Sequence, residues 1–169
     1  MNVIIRQGQV EDAEAMLTIE RDVISESNYL ITVEEEFGKT LEEQRQWLQN
    51  IIENKRETVF VAEVNYEVVG WIVFYAQNRK RLSHTGSLVM MINQMYRSNG
   101  IGKLLLQELL DWCENNSFIE KVSLGVLSTN YKAIKLYKNM GFTEEGRKIR
   151  EFKINERGYA DDVLLYKLV

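Results

Sequence analysis

Apolar residues recur with two different periods along the chain, which predicts strands interleaved with amphipathic helices. A short apolar strand at Val3–Ile5 precedes a helix that starts at Glu11 or Asp12 and runs to about residue 23. Thr40 and Glu43 have capping-box spacing and precede apolar residues at helical intervals, so a second helix begins there. The first third of the chain therefore predicts one strand and two helices, joined by a loop at 25–38.

The middle of the chain is dominated by three apolar runs. Residues 58–64 and 68–75 are rich in β-branched and aromatic side chains and lie close together, which predicts a hairpin. Residues 86–92 form a third run of the length of a buried strand. An amphipathic helix ending near Glu114 follows it, with apolar residues on one face.

The last third predicts a strand at 121–127, a helix that starts at Thr129 or Asn130 and ends at Gly141, and two long strands at 142–154 and 160–169. No internal repeat, linker or change in composition divides the chain. The pattern predicts a single α/β domain over residues 1–169.

The segment Arg97–Lys103, Arg-Ser-Asn-Gly-Ile-Gly-Lys, lies where a buried strand turns into a helix. The first backbone N–H groups of a helix have no partner within it. Arg97 and Lys103 add positive charge at the positive end of the helix dipole, where cations are disfavoured. A bound anion would resolve that conflict, so the segment predicts a phosphate site.

Two common phosphate loops do not fit this segment. A Walker A loop needs Ser or Thr after its Gly-Lys pair, and Leu104 stands there. The dinucleotide fingerprint needs a third glycine, and Leu105 occupies that place.

Residues 96–105 instead resemble the Arg-x-x-Gly-x-Gly pyrophosphate loop of the GCN5-related N-acetyltransferase (GNAT) family. A second segment, 130–142, is similar to that family's Asn-x-x-Ala-x-x-Leu-Tyr-x-x-x-Gly-Phe signature, and the order of elements is similar over nearly the whole chain. The closing pattern Arg150…Gly158-Tyr159-x-Asp161 resembles branches that acylate amino acids, polyamines or ribosomal-protein amino termini. The resemblance implies a mixed, mostly antiparallel sheet flanked by helices, with one splayed pair of parallel strands.

The resemblance also implies acetyl-CoA as the acyl donor and direct attack by an amine. The implied donor-binding residues are Met90 and Ile92, through main-chain groups that include an oxyanion donor, the pyrophosphate residues Arg97, Ser98, Asn99, Gly100, Ile101, Gly102 and Lys103, and Asn130 on the pantetheine arm. Tyr137 is implied as the acid that protonates the departing thiolate.

The residues by themselves leave simpler interpretations open. Tyr137 has the spacing of a core aromatic residue, Gly100 and Gly102 suit a tight turn, and Asn130 suits a helix N-cap. His84 is a candidate base or an ordinary hydrogen-bonded histidine. The three carboxylates at 34–36 form a solvated loop or bind a cationic acceptor, and the sequence does not identify the general base.

Composition narrows the classes of partner. A net charge of -4 argues against nucleic-acid binding by charge, and one histidine with one cysteine gives no metal cluster. The single Cys113 excludes an internal disulfide and suits a reducing compartment. No signal peptide is evident, and the apolar stretch 68–76 is about half the ~20 residues of a membrane span, so a cytoplasmic location without membrane attachment is expected.

These observations predict an acetyl-CoA-dependent N-acetyltransferase that acts on a primary amine of a small metabolite, an amino acid or a polyamine. The alternatives are a protein N-terminal acetyltransferase and a non-catalytic module that senses acetyl-CoA. A homodimer formed through the final strands or exposed apolar faces is a further expectation.

Overall fold

The computed structural model describes residues 2–169 as one mixed α/β unit. In chain order, its main elements are β1 Val3–Gln7, α1 Ala13–Ser25, α2 Leu41–Glu53, β2 Thr58–Val64, β3 Glu67–Ala76, β4 Thr85–Ile92, α3 Ile101–Glu114, β5 Lys121–Leu127, α4 Tyr131–Asn139, β6 Thr143–Lys153 and β7 Tyr159–Leu168. Short 3₁₀ turns precede α1, α2, β4 and the loop before α3. The predicted order of strands and helices is confirmed, with boundaries that differ by a few residues.

Seven strands form one sheet in the order β1-β2-β3-β4-β5-β7-β6. Every neighbouring pair is antiparallel except β4 and β5, which run parallel. A parallel pair needs a crossover connection, and α3 supplies it here. The predicted mixed, mostly antiparallel sheet is therefore confirmed.

Two apolar layers cover the two faces of the sheet. On one face, α1 and α2 pack on β2, β3 and β4 around Met16, Leu48, Trp71 and Met91. On the other, α3 packs on β1 to β4, in a layer that also takes in apolar residues of β5 and β7 and in which Leu105, Leu109 and Val122 are fully buried. Strands β2 and β3 carry apolar side chains towards both layers, which explains why they read as continuous apolar runs.

The β2–β3 hairpin closes with a two-residue turn that contains no glycine. Asn65 and Tyr66 both have positive φ, at 50° and 68°, and Val64 pairs directly with Glu67. Positive φ at both central residues is the geometry of a type I′ turn, which matches the twist of the flanking strands. Asparagine tolerates that conformation well, whereas tyrosine adopts it rarely, so the turn depends on the strands that it joins.

Candidate active site

The parallel pair β4–β5 is hydrogen-bonded at only one end. Its register runs from Thr85 opposite Lys121 to Ser87 opposite Ser123, and within residues 2–169 no β4–β5 pairing continues beyond that point. The remaining part of β4 stays paired with β3, and that of β5 with β7. The sheet therefore contains a gap, called here the splay, that opens towards Ile92 and Leu127. The splayed pair that the sequence resemblance implied is confirmed.

The main-chain groups that line the splay follow from strand alternation. The amide of Asn93 donates to the carbonyl of Val69, and the carbonyl of Thr85 accepts from the amide of Gln77. The main-chain N–H and C=O groups of odd-numbered β4 residues therefore point towards β3. Met90 and Ile92 accordingly turn their N–H and C=O groups towards β5. On β5, Lys121 donates towards the β4 side and Ser128 towards β7, so the backbone of Gly125 faces the splay from the opposite edge.

The loop before α3 presents a run of backbone donors. Within the described part of the chain, the N–H groups of Ser98, Asn99, Gly100, Ile101 and Gly102 donate to no protein acceptor. Ser98 and Gly100 have positive φ, at 63° and 84°, so successive amides converge as they do in anion-binding nests. The run ends at Lys103, because its N–H donates to the carbonyl of Gly100. The donors thus lie one residue earlier than the expected run from Asn99 to Lys103.

The two glycines of this loop serve different purposes. Gly100 is the N-cap of α3 in a left-handed conformation, and a side chain there would meet nothing within 4 Å. At Gly102 a Cβ would lie 3.2 Å from Leu136 Cδ2 and 3.3 Å from Ile92 Cδ1. Gly100 keeps the outer side of the loop open to a ligand, whereas Gly102 lets α3 pack closely against β4 and α4. Space for a pyrophosphate and unpaired donors are both present here.

The side chains of the loop mostly hold it in place. The Asn99 amide donates back to the carbonyls of Tyr96 and Arg97, and Ile101 is buried in the core. The side chains of Ser98, Asn99 and Lys103 are exposed, and Lys103 is the cationic one among them.

Arg97 is engaged within the protein rather than free for a phosphate. Its Nε donates to the carbonyl of Ile92 at 2.8 Å, and its two terminal nitrogens bond both carboxylate oxygens of Glu26 at 2.6 Å. Glu26 is the C-cap of α1. The free N–H groups belong to residues 98–102, called here the donor loop. The paired, half-buried guanidinium of Arg97 joins this loop to the end of α1. Sequence reasoning missed Glu26, because no motif connects residues 71 positions apart.

Asn130 is the N-cap of α4, since its side-chain oxygen accepts from the N–H of Ala133 at 3.2 Å. The structural interpretation of this residue is therefore correct. A role on the pantetheine arm is the resemblance's implication, and the same residue stands at the open end of the splay, three positions after β5 ends.

Tyr137 lies on α4 in the layer that contains α3 and is 6% exposed. Its ring packs edge-on against Phe142, with 5.7 Å between centroids. Burial raises the pKa of its phenol well above the ordinary value, so the group stays protonated at neutral pH. Within residues 2–169 its hydroxyl makes no hydrogen bond, and it is not among the fully enclosed polar atoms that lack a partner. A protonated phenol with a free donor is suited to act as a general acid.

The other candidates of the sequence analysis are His84, as a base, and the three carboxylates at 34–36, as ligands of a cationic acceptor. His84 precedes β4, and its carbonyl accepts from Glu120 and Lys121 at the closed end. Glu34–Glu36 form an exposed 3₁₀ turn between α1 and α2. Neither is brought next to Tyr137 by the sheet register.

Three further observations concern other site types. Among residues 2–169, no group of three His, Cys, Asp or Glu side chains is arranged to hold a metal ion. None of the helices in this range has the length and apolar character needed to cross a membrane. Burial raises the pKa of the Cys113 thiol to about 12, so it is not a nucleophile near neutral pH.

The sequence is similar to those of known acetyltransferases. The sequence profile of the acetyltransferase (GNAT) family matches residues 23–142. The L-amino acid N-acetyltransferase AaaT of Escherichia coli is 24% identical over 94% of this chain and 93% of its own length. An N-alpha-acetyltransferase of Sulfolobus acidocaldarius is 28% identical over 95% and 88%. A spermidine N(1)-acetyltransferase of Vibrio cholerae is 27% identical over 71% and 68%.

Solved structures agree with the fold. An acetyltransferase of the GNAT family from Streptococcus pneumoniae superposes with a TM-score of 0.94 at 28% identity, over 99% of this chain and 100% of that one. The yncA acetyltransferase from Salmonella typhimurium, solved with its cofactor acetyl-CoA, gives a TM-score of 0.89 at 18% identity, over 99% and 94%.

Proposed function

The chain belongs to the acetyltransferase (GNAT) family and is an acetyl-CoA-dependent N-acetyltransferase, and we propose that its acceptor is the primary amine of a small metabolite, an amino acid or a polyamine. The observation that carries the proposal is the splay, with unpaired main-chain groups at its edges, a free phenol on one face and the donor loop at its mouth. AaaT, which matches 94% of this chain and 93% of its own length, is an L-amino acid acetyltransferase, and this relative supports a small acceptor.

The donor is held by backbone groups in this proposal. The five free N–H groups from Ser98 to Gly102 bind the pyrophosphate, and the inward-facing carbonyl of Met90 and N–H of Ile92 bind the pantetheine arm, as a missing strand would. Arg97 fixes the carbonyl of Ile92 and the end of α1, so it shapes the loop from behind. Asn130 caps α4 and keeps Tyr137 facing the splay.

The reaction is direct transfer without a covalent enzyme intermediate. The neutral amine attacks the thioester carbonyl carbon, a C–N bond forms, and a main-chain N–H of Met90 stabilises the resulting oxyanion. The C–S bond then breaks, and Tyr137 gives its proton to the sulfur. The amide nitrogen releases its extra proton to solvent, from which Tyr137 recovers one. Most of the rate acceleration comes from holding donor and acceptor together in the splay.

Turnover with a panel of amines tests this proposal. Free thiol release from acetyl-CoA is measured with amino acids, polyamines and short peptides, and acetyl-CoA binding is measured by calorimetry in the same samples. We expect release with one class of small amine. Release only with peptides would favour the second candidate, a protein N-terminal acetyltransferase, which the relative from Sulfolobus acidocaldarius supports. Binding without release would favour an acetyl-CoA sensor.

A further inference from the structure

The face of the sheet opposite Tyr137 carries a carboxylate for which the motifs give no role. Val163 and Leu165 of β7 are buried in the layer with α3 and Tyr137, so Asp162 projects to the other face. Val122, Leu124 and Val126 of β5 are buried in that same layer, so Gly125 also faces away from it. Asp162 and Gly125 therefore share the face on which α1 and α2 lie.

Asp162 stands directly over the edge of the splay. A Cβ built on Gly125 would lie 2.6 Å from Asp162 Oδ1, so only glycine leaves room for this carboxylate. Gly125 lies two residues beyond Ser123, the last residue of β5 that pairs with β4, and its main chain faces the splay. Because α1 and α2 pack on β2, β3 and β4, this part of β5 and β7 is left uncovered by helices. The Asp162 side chain remains partly exposed to solvent.

The carboxylate has no firm partner in the protein. Within residues 2–169 it accepts no hydrogen bond, and its ion pair is with Lys148 Nζ at 3.5 Å. Lys148 is 53% exposed and is shared with Glu151, whereas the Asp162 side chain is only 13% exposed. The adjacent Asp161 differs, because its oxygens accept from the N–H of Arg150 at 2.8 Å and from Arg147 at 3.4 Å. A shielded carboxylate with unfilled acceptor positions favours a cationic ligand.

We propose that the Asp162 carboxylate binds the ammonium form of the acceptor amine on this face of the splay, and that the amine attacks after it has given one proton to solvent. The inference rests on the proposed function and adds the residue that selects a cationic amine. The acceptor then lies on one face of the sheet and Tyr137 on the other, with the thioester between them. The missing side chain at Gly125 serves this arrangement, because it lets the carboxylate lie against the backbone that borders the splay.

The test measures amine binding without turnover. The protein is saturated with coenzyme A, and spermidine, L-leucine amide and a serine-alanine dipeptide are titrated in turn by calorimetry, with the Gly125 amide followed by NMR. We expect Asp162→Asn to weaken binding of the best probe about tenfold or more, since a charge-assisted bond becomes a neutral one. Gly125→Ala should weaken it as well by displacing the carboxylate.

Lys148→Met is the matched control, because it removes the other member of the only ion pair that Asp162 makes within residues 2–169. If Asp162 binds the acceptor, this variant retains or tightens amine binding; if the pair is merely structural, it weakens binding as Asp162→Asn does, which contradicts the inference. Coenzyme A affinity should be unchanged in Asp162→Asn and in Lys148→Met. The inference would be overturned if the unaltered protein bound none of the three probes, or if Asp162→Asn left their binding unchanged. Binding that depends on Asp162 without any turnover would instead contradict the proposed function and support this inference.

Discussion

The donor side and the acceptor side of the splay are built in opposite ways. The donor loop is one continuous segment, and its five free N–H groups belong to the backbone of residues 98–102. The proposed acceptor side combines Gly125 of β5 and Asp162 of β7, which are distant in sequence. Phosphate recognition needs only a local backbone conformation, whereas amine recognition needs side chains brought together by the sheet. The residues of the proposed donor side can therefore be predicted from the sequence, whereas those of the proposed acceptor side cannot.

In the proposed mechanism the donor and the acceptor meet at the thioester. The largest expected effect is therefore that of removing the general acid, Tyr137 on α4. Tyr137→Phe should lower kcat by about 10²- to 10⁴-fold and leave the affinity for acetyl-CoA nearly unchanged, because only the proton donor is lost. Steady-state kinetics and calorimetry measure the two quantities. Tyr131→Phe is the control, since Tyr131 lies on the same helix and is 75% exposed. Equal turnover in Tyr137→Phe and the unaltered protein would show that another group protonates the thiolate.

The donor side itself is tested at Gly100. Gly100→Val places a β-branched residue at a φ of 84°, which costs about 1–3 kcal/mol of strain and turns the free amides away. We expect acetyl-CoA binding to weaken about 10- to 100-fold by calorimetry. Gly38→Ala is the matched control, because a Cβ at Gly38 also meets nothing within 4 Å and its φ is not positive. Unaltered acetyl-CoA affinity in Gly100→Val would contradict the assignment of the pyrophosphate to this loop.

The link between the two sides is the pair of Arg97 with Glu26. If Arg97 acts by holding the loop to α1, then Glu26→Gln and Arg97→Gln should each weaken acetyl-CoA binding by several-fold, and the double variant should be little worse than either. If Arg97 instead binds the pyrophosphate directly, Glu26→Gln would free it and tighten binding. Calorimetry on the three variants distinguishes these outcomes. We expect the first, because the Arg97 side chain already bonds Glu26 and Ile92.

The smallest expected effect concerns the thiol of α3. Cys113 is fully buried, and burial raises its pKa to about 12. The thiol of the folded protein should therefore react hardly at all with a thiol-specific disulfide reagent near pH 8. After denaturation, one thiol per chain should react. Rapid reaction of the folded protein would mean that α3, and with it the donor loop, opens readily. The same measurement gives the background for assays of coenzyme A release.

The sequence alone predicted the order of elements, the single domain and the donor loop, because each depends on local patterns. Capping by Thr40 and Asn130, the apolar face of α3 and the two family motifs are all contained in segments of fewer than twenty residues. The backbone N–H groups without a protein acceptor are those of Ser98–Gly102, one residue earlier than the expected Asn99–Lys103. The reason is that the N–H of Lys103 donates to the carbonyl of Gly100 in the first turn of α3. Hydrogen bonding within that turn is not visible in composition or spacing.

The tertiary structure decided what the side chains face. It paired Arg97 with Glu26 at the end of α1, and it placed Leu136 and Ile92 beside Gly102. It also set Asp162 over Gly125, although 36 residues of intervening sequence give no sign of the contact. Strand register controls these relations, since each step along a strand reverses the face to which a side chain points. Local sequence determines that a strand forms, and only pairing with its neighbours determines which residues share a site.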